Sequence, residues 1–338
     1  MKTILLILLL LILSSCHLDK VEVTAPPFDV NEITHCNIQT FSATEANFIV
    51  HEVNDFLKAI SDAEPENTIY ISDSSYLDFS DYELPVIISK SLNIVSGRNS
   101  DNSNGATLYA NAPGKTLIKI EADNVTLQGL KIIGYDTEIG LEMYNPKVTN
   151  GIVIGNYNSL KIENCEISGW SHGGIYLYNS TGNIISRSYI HHNQRYGLGY
   201  GIVLYNKPYQ PTNALISCNF FEYNRHDIAA SGNEGQSYEA SYNIIGLGSE
   251  NHHRFDMHGK NGDTEKVAGT KIIIHHNYFL SDKGYAIFIR GISIELSEIY
   301  ENTFAHPNAQ TAIEQTVLRE KIQYNNLLNI NVRDNQFK

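Results

Sequence analysis

Basic residues are scarce in this chain of 338 residues, where 24 Lys and Arg stand against 37 Asp and Glu for a formal net charge of −13. A nucleic-acid partner needs a basic face to neutralise phosphates, so no such partner is expected. An anionic substrate is comfortable only where the site is locally basic. Cysteine is equally scarce, and Cys16, Cys36, Cys165 and Cys218 show no close spacing. That excludes a zinc ribbon or a disulfide scaffold. Cys165 in "KIENCEI" and Cys218 in "LISCNFF" read as small apolar fillers. Long apolar runs are lacking too, since the run from Ile4 to Leu13 is shorter than the roughly 20 residues that cross a bilayer.

With 42% hydrophobic residues, the chain has material for a real core. Its start, "MKTILLILLLLILSSC", reads as a secretion signal. The "LSSC" ending is similar to a bacterial lipobox, which implies cleavage before Cys16 and a lipid on its thiol. Residues 1–16 are then a lipoprotein signal, and the mature chain is expected as a lipid-anchored protein of the cell envelope. Residues 17–42, which contain "APPFD", read as a linker, and residues 43–338 as one domain, expected to be monomeric.

A repeat organises that domain. The stretches "TLQGLKI", "KIENCEI", "ISRSYIHHN", "LISCNFFEYN", "ASYNIIG", "IIHHNYF", "IYENTF" and "QYNNLL" fit one template. Its shared position falls at Gly129, Asn164, Ser188, Asn219, Asn243, Asn277, Asn302 and Asn326. The gaps of 35, 24, 31, 24, 34, 25 and 24 residues describe a unit of 24 or 25, expanded three times by loops. Each unit alternates in short strand-like runs rich in Ile, Tyr, Phe and Asn, and none holds a helical run long enough for a leucine-rich or ankyrin repeat. The recurrent Asn suits a coil corner, because it tolerates bent backbone and its amides can stack along the axis.

On these residues the chain resembles the right-handed parallel β-helix proteins, the pectate lyase-like superfamily that includes many secreted polysaccharide-degrading enzymes. The resemblance covers residues 66–338 and implies an all-β solenoid and a polysaccharide partner. Upstream, Phe48, Ile49, Val53, Phe56, Leu57 and Ile60 have helical spacing, as expected of an amphipathic cap over the first coil.

After each corner a second strand aligns across the coils. Ile175, Ile202, Ile228, Phe255, Ile287 and Ile313 are expected inward, with Leu177, Leu204, Ala230, Met257, Ile289 and Gln315. Three outward columns follow from the same period. The first runs Gly174, Gly201, Asp227, Arg254, Ala286, Ala312; the second Tyr176, Val203, Ala229, Asp256, Phe288, Glu314; the third Tyr178, Tyr205, Ser231, His258, Arg290, Thr316. Arg254, Asp256 and His258 of "NHHRFDMHGK" thus share an exposed face, while the directions of His252 and His253 are unreadable. The insertions "NKPYQPTN" and "KNGDTEKVAGT", the second beginning with Lys260, are placed to wall a groove. From residue 250 to 291 there are six Lys or Arg against five Asp or Glu, so this patch is nearly neutral on an acidic body.

Such a cluster suits β-elimination on an acidic glycan, which needs a cation on the uronate carboxylate, a base, and a proton donor for the leaving oxygen. Arg290 or Arg254 can hold the carboxylate, His258 can act as base, and Tyr205 or Tyr238 can donate. Asp256, Asp227 and Glu239 complete the candidate catalytic set, with Tyr176, Tyr178 and Lys260 as substrate contacts. Tyr238 aligns with inward Ala214 and Ile272, which favours core packing, whereas Glu239 aligns with outward Leu215 and Lys161. His226, at a corner, reads as readily as a structural histidine as a catalytic one. The bland reading makes Asp227 with Arg254, and Asp256 with His258, surface ion pairs worth about 0–1 kcal/mol. No cofactor is required by the pattern. For a divalent cation such as calcium, only the carboxylates Asp227, Asp256 and Glu239 are available, and on an extended strand His253 and outward His258, an odd number of positions apart, diverge too far for zinc.

Two other readings stay open. Asp227 and Asp256 on adjacent coils have the spacing of a glycoside hydrolase pair, although the Gly-His-Gly and Arg-Ile-Lys motifs of polygalacturonase-type enzymes are missing and "FIRGIS" lacks the Lys. Tyr176, Tyr178, Val203 and Tyr205 also form an aromatic stripe fit to bind glycan without turnover.

Overall fold

A computed structural model describes residues 36–37, 40–41, 43–100, 103–136, 145–248 and 253–338. The signal segment, Cys16, most of the linker and His252 lie outside the described residues. The described chain winds into a solenoid of three sheets. Sheet I has 11 strands, from Phe48–Val50 to Ile330–Arg333; sheet II has 10, from Tyr76–Asp78 to Gln336–Phe337. Sheet III also has 10, from Val86–Ile88 to the hairpin strand Glu320–Ile322, whose antiparallel pairing with Ile313–Val317 departs from the parallel pairing elsewhere. Strands this short and this rich in Ile are stable only because each coil buries its apolar residues against the next. Ile175, Ile202, Ile228, Phe255 and Ile287 are almost wholly buried, as are Leu177, Leu204, Met257 and Ile289. The expected inward set is the core.

The Asn corner is a hydrogen-bonded spine. Asn219, Asn243, Asn277 and Asn302 each donate through Nδ2 to the next Oδ1, at 3.0, 2.9, 2.9 and 3.0 Å, and the last acceptor is Asn335. Each Oδ1 also accepts the preceding ladder residue's backbone N–H, so the buried amides are satisfied in the interior. Two expected members are displaced by one position. Gly129 and Asn164 occupy the residue before the ladder, which takes positive φ (68° and 53°), as do Arg187, Cys218, Tyr242, His276 and Glu301. In that coil Cys165 holds the ladder position and its N–H meets Ser188 Oγ at 3.1 Å. Asn326 is not on the spine. It ends a 3-10 turn, Tyr324–Asn326, after the hairpin, so the final rung falls to Asn335.

The cap is shorter than its apolar spacing suggests. The helix runs Val53–Asp62 and buries Val53, Phe56 and Ala59, with the Phe56 and Phe79 rings 6.1 Å apart. Phe48 and Ile49 instead start sheet I, paired with Ile69 and Tyr70. Cys218 is not a filler, because it is joined to Cys36, with Cα atoms 5.6 Å apart across 182 residues of sequence. Spacing could not reveal the pair, since it depends on the N-terminal segment returning alongside a middle coil. Cys165 is buried and free, as a filler would be.

Candidate functional site

Sheet III fixes the site by register. One outward row runs Lys119, Val153, Tyr176, Val203, Ala229, Asp256, Phe288 and Glu314. Gly155, Tyr178 and Tyr205 form the next outward row. It is continued by His258 and Arg290, whose N–H groups donate to Ala230 and Met257 carbonyls at 2.9 and 2.8 Å. These two expected columns hold.

The expected first column does not. Between Tyr200↔His226 and Ile202↔Ile228 the backbone turns the corner, so Gly201 and Asp227 face inward beside the inward Ile. A Cβ on Gly174 would meet Ile167 Cγ2 at 2.9 Å, and one on Gly201 would meet Ile190 Cγ2 at 3.1 Å, both in the interior. Asp227 and Arg254 are accordingly buried rather than exposed. Asp227 accepts from Asn224 Nδ2 at 2.9 Å, and burial, partly offset by Arg254, raises its pKa to about 6. The paired-carboxylate geometry of Asp227 with Asp256 is therefore absent, and Arg254 cannot reach a substrate carboxylate.

Three groups converge on Asp256. Arg290 Nε donates to Oδ1 at 2.9 Å while Nη2 donates to Oδ2, a bidentate fork. His226 Nε2 and His258 Nε2 each lie 3.3 Å from Oδ2. The carboxylate points outward as the period demands, yet these groups cover it completely. Burial pushes its pKa up, but His258, His226 and Arg290 outweigh burial and hold it well below the usual carboxylate range. His258 remains 31% exposed and Arg290 19%, so these two are the cluster's contacts with solvent.

His226 is the member that sequence reasoning left undecided. Its Nδ1 lies 2.6 Å from the His253 carbonyl oxygen, and its ring stacks between Tyr200 at 5.5 Å and His253 at 5.9 Å, each at 11°. Burial drives its pKa well down despite Asp256. A signal was present: Tyr200, His226 and His253 each stand two residues before an inward Ile202, Ile228 or Phe255, a column of rings at one offset. His253 meets Phe288 edge-on, with centroids 4.3 Å apart at 66°, and Arg290 lies over Phe288 at 4.7 Å.

The other candidates divide. Tyr205 is 43% exposed and its ring is 5.8 Å from Tyr178 at 19°. It lies two strand spacings from His258, about 9.6 Å. Tyr176, Tyr178 and Tyr205 line a cavity of about 570 Å³ with Lys119, Glu121 and Tyr157. His172 sits 5.2 Å from Tyr176, and burial, then Arg195, lowers its pKa to about 4. Lys260 is engaged by Glu234 at 2.9 Å and Glu265 at 2.8 Å beside Tyr209, as part of the loop wall. Glu239 leaves the site: it lies on sheet I and pairs with His275 at 3.1 Å. Tyr238 packs in the core. With Asp227 inside, Asp256 forked and Glu239 on another sheet, the three carboxylates considered for calcium are not brought together.

The described geometry agrees with the family match. The right-handed beta helix region matches residues 30–237 and 141–337, and the chain belongs to that family. No curated protein matches. Among solved structures, the chain is similar to the alginate lyase from Paenibacillus sp. str. FPU-7, at 14% identity and TM-score 0.43, over 75% of this chain and 94% of that one. It is also similar to the Dettilon tailspike protein, at 17% identity and TM-score 0.48, over 74% of this chain and 50% of the other. A third similar structure, Geobacillus virus E2 ORF18, has 13% identity and TM-score 0.46, over 78% of this chain and 57% of that one. At that distance no functional residue is carried across.

Proposed function

We propose that the outward face of sheet III binds an acidic polysaccharide and that the chain is a polysaccharide lyase. The observation that carries this reading is the convergence of His258, His226 and Arg290 on the buried carboxylate of Asp256, beside exposed Tyr205 and half-buried Tyr176 and Tyr178. Asp256 orients His258, which takes the proton on the carbon next to the uronate carboxyl. The C–O bond to the leaving sugar then breaks, a carbon–carbon double bond forms, and the departing oxygen takes a proton from Tyr205. Arg290 has two donors closed on Asp256, which leaves Nη1, 3.5 Å from Asp263, to meet the uronate. The interior position of Asp227 favours elimination over paired-carboxylate hydrolysis.

The test is a panel of anionic and neutral glycans incubated with the purified chain. The lyase reading expects new ultraviolet absorbance from an unsaturated uronate end with one acidic glycan, lost in His258→Ala. New reducing ends without that absorbance would overturn it in favour of hydrolysis. Retention on a glycan with no product at all would instead support the second reading, a binding face built on Tyr176, Tyr178 and Tyr205. We also propose lipid anchoring through Cys16, and the Cys36–Cys218 disulfide supports export to an oxidising compartment. A Cys16→Ala variant should leave the membrane fraction; unchanged fractionation would overturn the anchor.

A further inference from the structure

Away from sheet III, where the Asn spine turns from sheet I to sheet II, two adjacent histidines face each other. His275 ends strand Lys271–His275, and His276 is the positive-φ residue before the ladder residue Asn277. Their Nδ1 atoms are 2.8 Å apart. Each far nitrogen meets a carboxylate: His275 Nε2 lies 3.1 Å from Glu239 Oε1, and His276 Nε2 lies 3.0 Å from Glu301 Oε2. A carboxylate accepts only, so His275 Nε2, hydrogen-bonded to Glu239, carries its hydrogen, and the Glu301 carboxylate within ion-pair range favours the same tautomer at His276. Both Nδ1 atoms then present lone pairs to one another, an arrangement that repels unless a cation sits between them.

The rings are held in place for that cation. His275 stacks on Tyr300 at 4.8 Å and 3°, and His276 on Tyr242 at 4.7 Å and 27°. The two imidazoles are nearly perpendicular, at 83°. Metal–nitrogen bonds of about 2.0–2.1 Å meeting at a right angle place two nitrogens about 2.9 Å apart, whereas tetrahedral zinc spreads them to about 3.4 Å. The observed separation of 2.8 Å matches the cis edge of a tetragonal ion. Carboxylates on the far nitrogens are the outer partners that fix such ligands and raise their basicity.

We propose that His275 and His276 chelate a divalent tetragonal ion, copper(II) or nickel(II), through their Nδ1 atoms. Among the described residues no group of three His, Cys, Asp or Glu converges on a common point, so water completes the coordination. Binding exchanges the proton held between the two nitrogens for the metal. His191 and His192 provide an internal contrast: their Nδ1 atoms are 2.7 Å apart, but His191 Nε2 is 3.6 Å from Glu166, so the outer partner is looser.

The experiment titrates copper(II) chloride into the full chain, reading uptake by calorimetry and ligands by electron paramagnetic resonance. One tight equivalent with hyperfine coupling to two nitrogens is expected. His276→Ala should weaken uptake at least tenfold and remove one nitrogen from the spectrum, while His192→Ala leaves that equivalent unchanged. Should His276→Ala unfold by circular dichroism, Glu301→Gln replaces it and should weaken uptake several-fold. Equal uptake in whichever of these variants folds, a tight equivalent removed by His192→Ala, or no tight equivalent in the parent chain overturns the proposal.

Discussion

Asp227 and Asp256 stand on neighbouring strands of one sheet, each with an arginine on the next coil, Arg254 and Arg290, and their fates are opposite. Asp227 turns into the solenoid with Arg254, where burial dominates and its pKa rises to about 6. Asp256 turns out, where Arg290 and two histidines keep it ionised although it is just as buried. Charge letters and spacing do not separate the two. One extra inward residue at the corner does, and it turns an expected surface pair into an interior polar pair beside a solvent-facing cluster.

The most damaging way to test that contrast is Asp256→Ala. It leaves Arg290 and two histidines without their shared acceptor, and breaking a buried pair typically destabilises by about 3–5 kcal/mol. Turnover on any glycan identified should disappear; denaturant melts and product assays check both. Met257→Ala, which truncates a core side chain at the inward position between Asp256 and His258 in the strand, should cost about 2–5 kcal/mol. Its turnover per folded molecule should be kept, which calorimetry and kinetics can separate. Asp227→Asn should change the pH dependence of stability more than stability itself. An acid whose pKa is higher folded (about 6) than unfolded (about 3.9) binds extra proton in the fold between those values, so stability falls as pH rises through that window. The variant should lose that slope in melting temperature between pH 4 and 6. Smallest of all, Tyr178→Ala should weaken glycan retention by about 0.5–1.5 kcal/mol, the worth of one aromatic contact. Affinity electrophoresis in the presence of the glycan measures it.

Much of the fold was legible in the sequence because a solenoid repeats its constraints. The inward Ile, Leu and Met positions recur at a period of two, and a wrong register would have exposed them all. The second and third outward columns followed from the same period, which brought Asp256, His258 and Arg290 onto one face. Corners were less legible, since their backbone breaks the period that the reasoning relied on. Asp227 and Arg254 were lost there, and His226 was left undecided for the same reason. Glu239 was read correctly as outward, but outward on sheet I is a different face from outward on sheet III. The Cys36–Cys218 bond and the displaced last rung at Asn335 depend on how segments return in space, which no local spacing encodes.

The Asn spine also bears on how such a molecule can be lengthened. Strands Thr212–Ser217, Gln236–Ser241, Lys271–His275, Ser297–Tyr300 and Ile330–Arg333 each pass to the next sheet through two residues, the second being the ladder Asn. Every additional residue in the longer coils is therefore accommodated at the other two corners or by the terminal hairpin. The spine acts as the binding of a book, and loops can be added at the open edges of the pages. A grafted loop is best placed after Tyr205 or after Gly259, where this chain already carries insertions, while a single residue added beside Asn243 would put every later coil out of step.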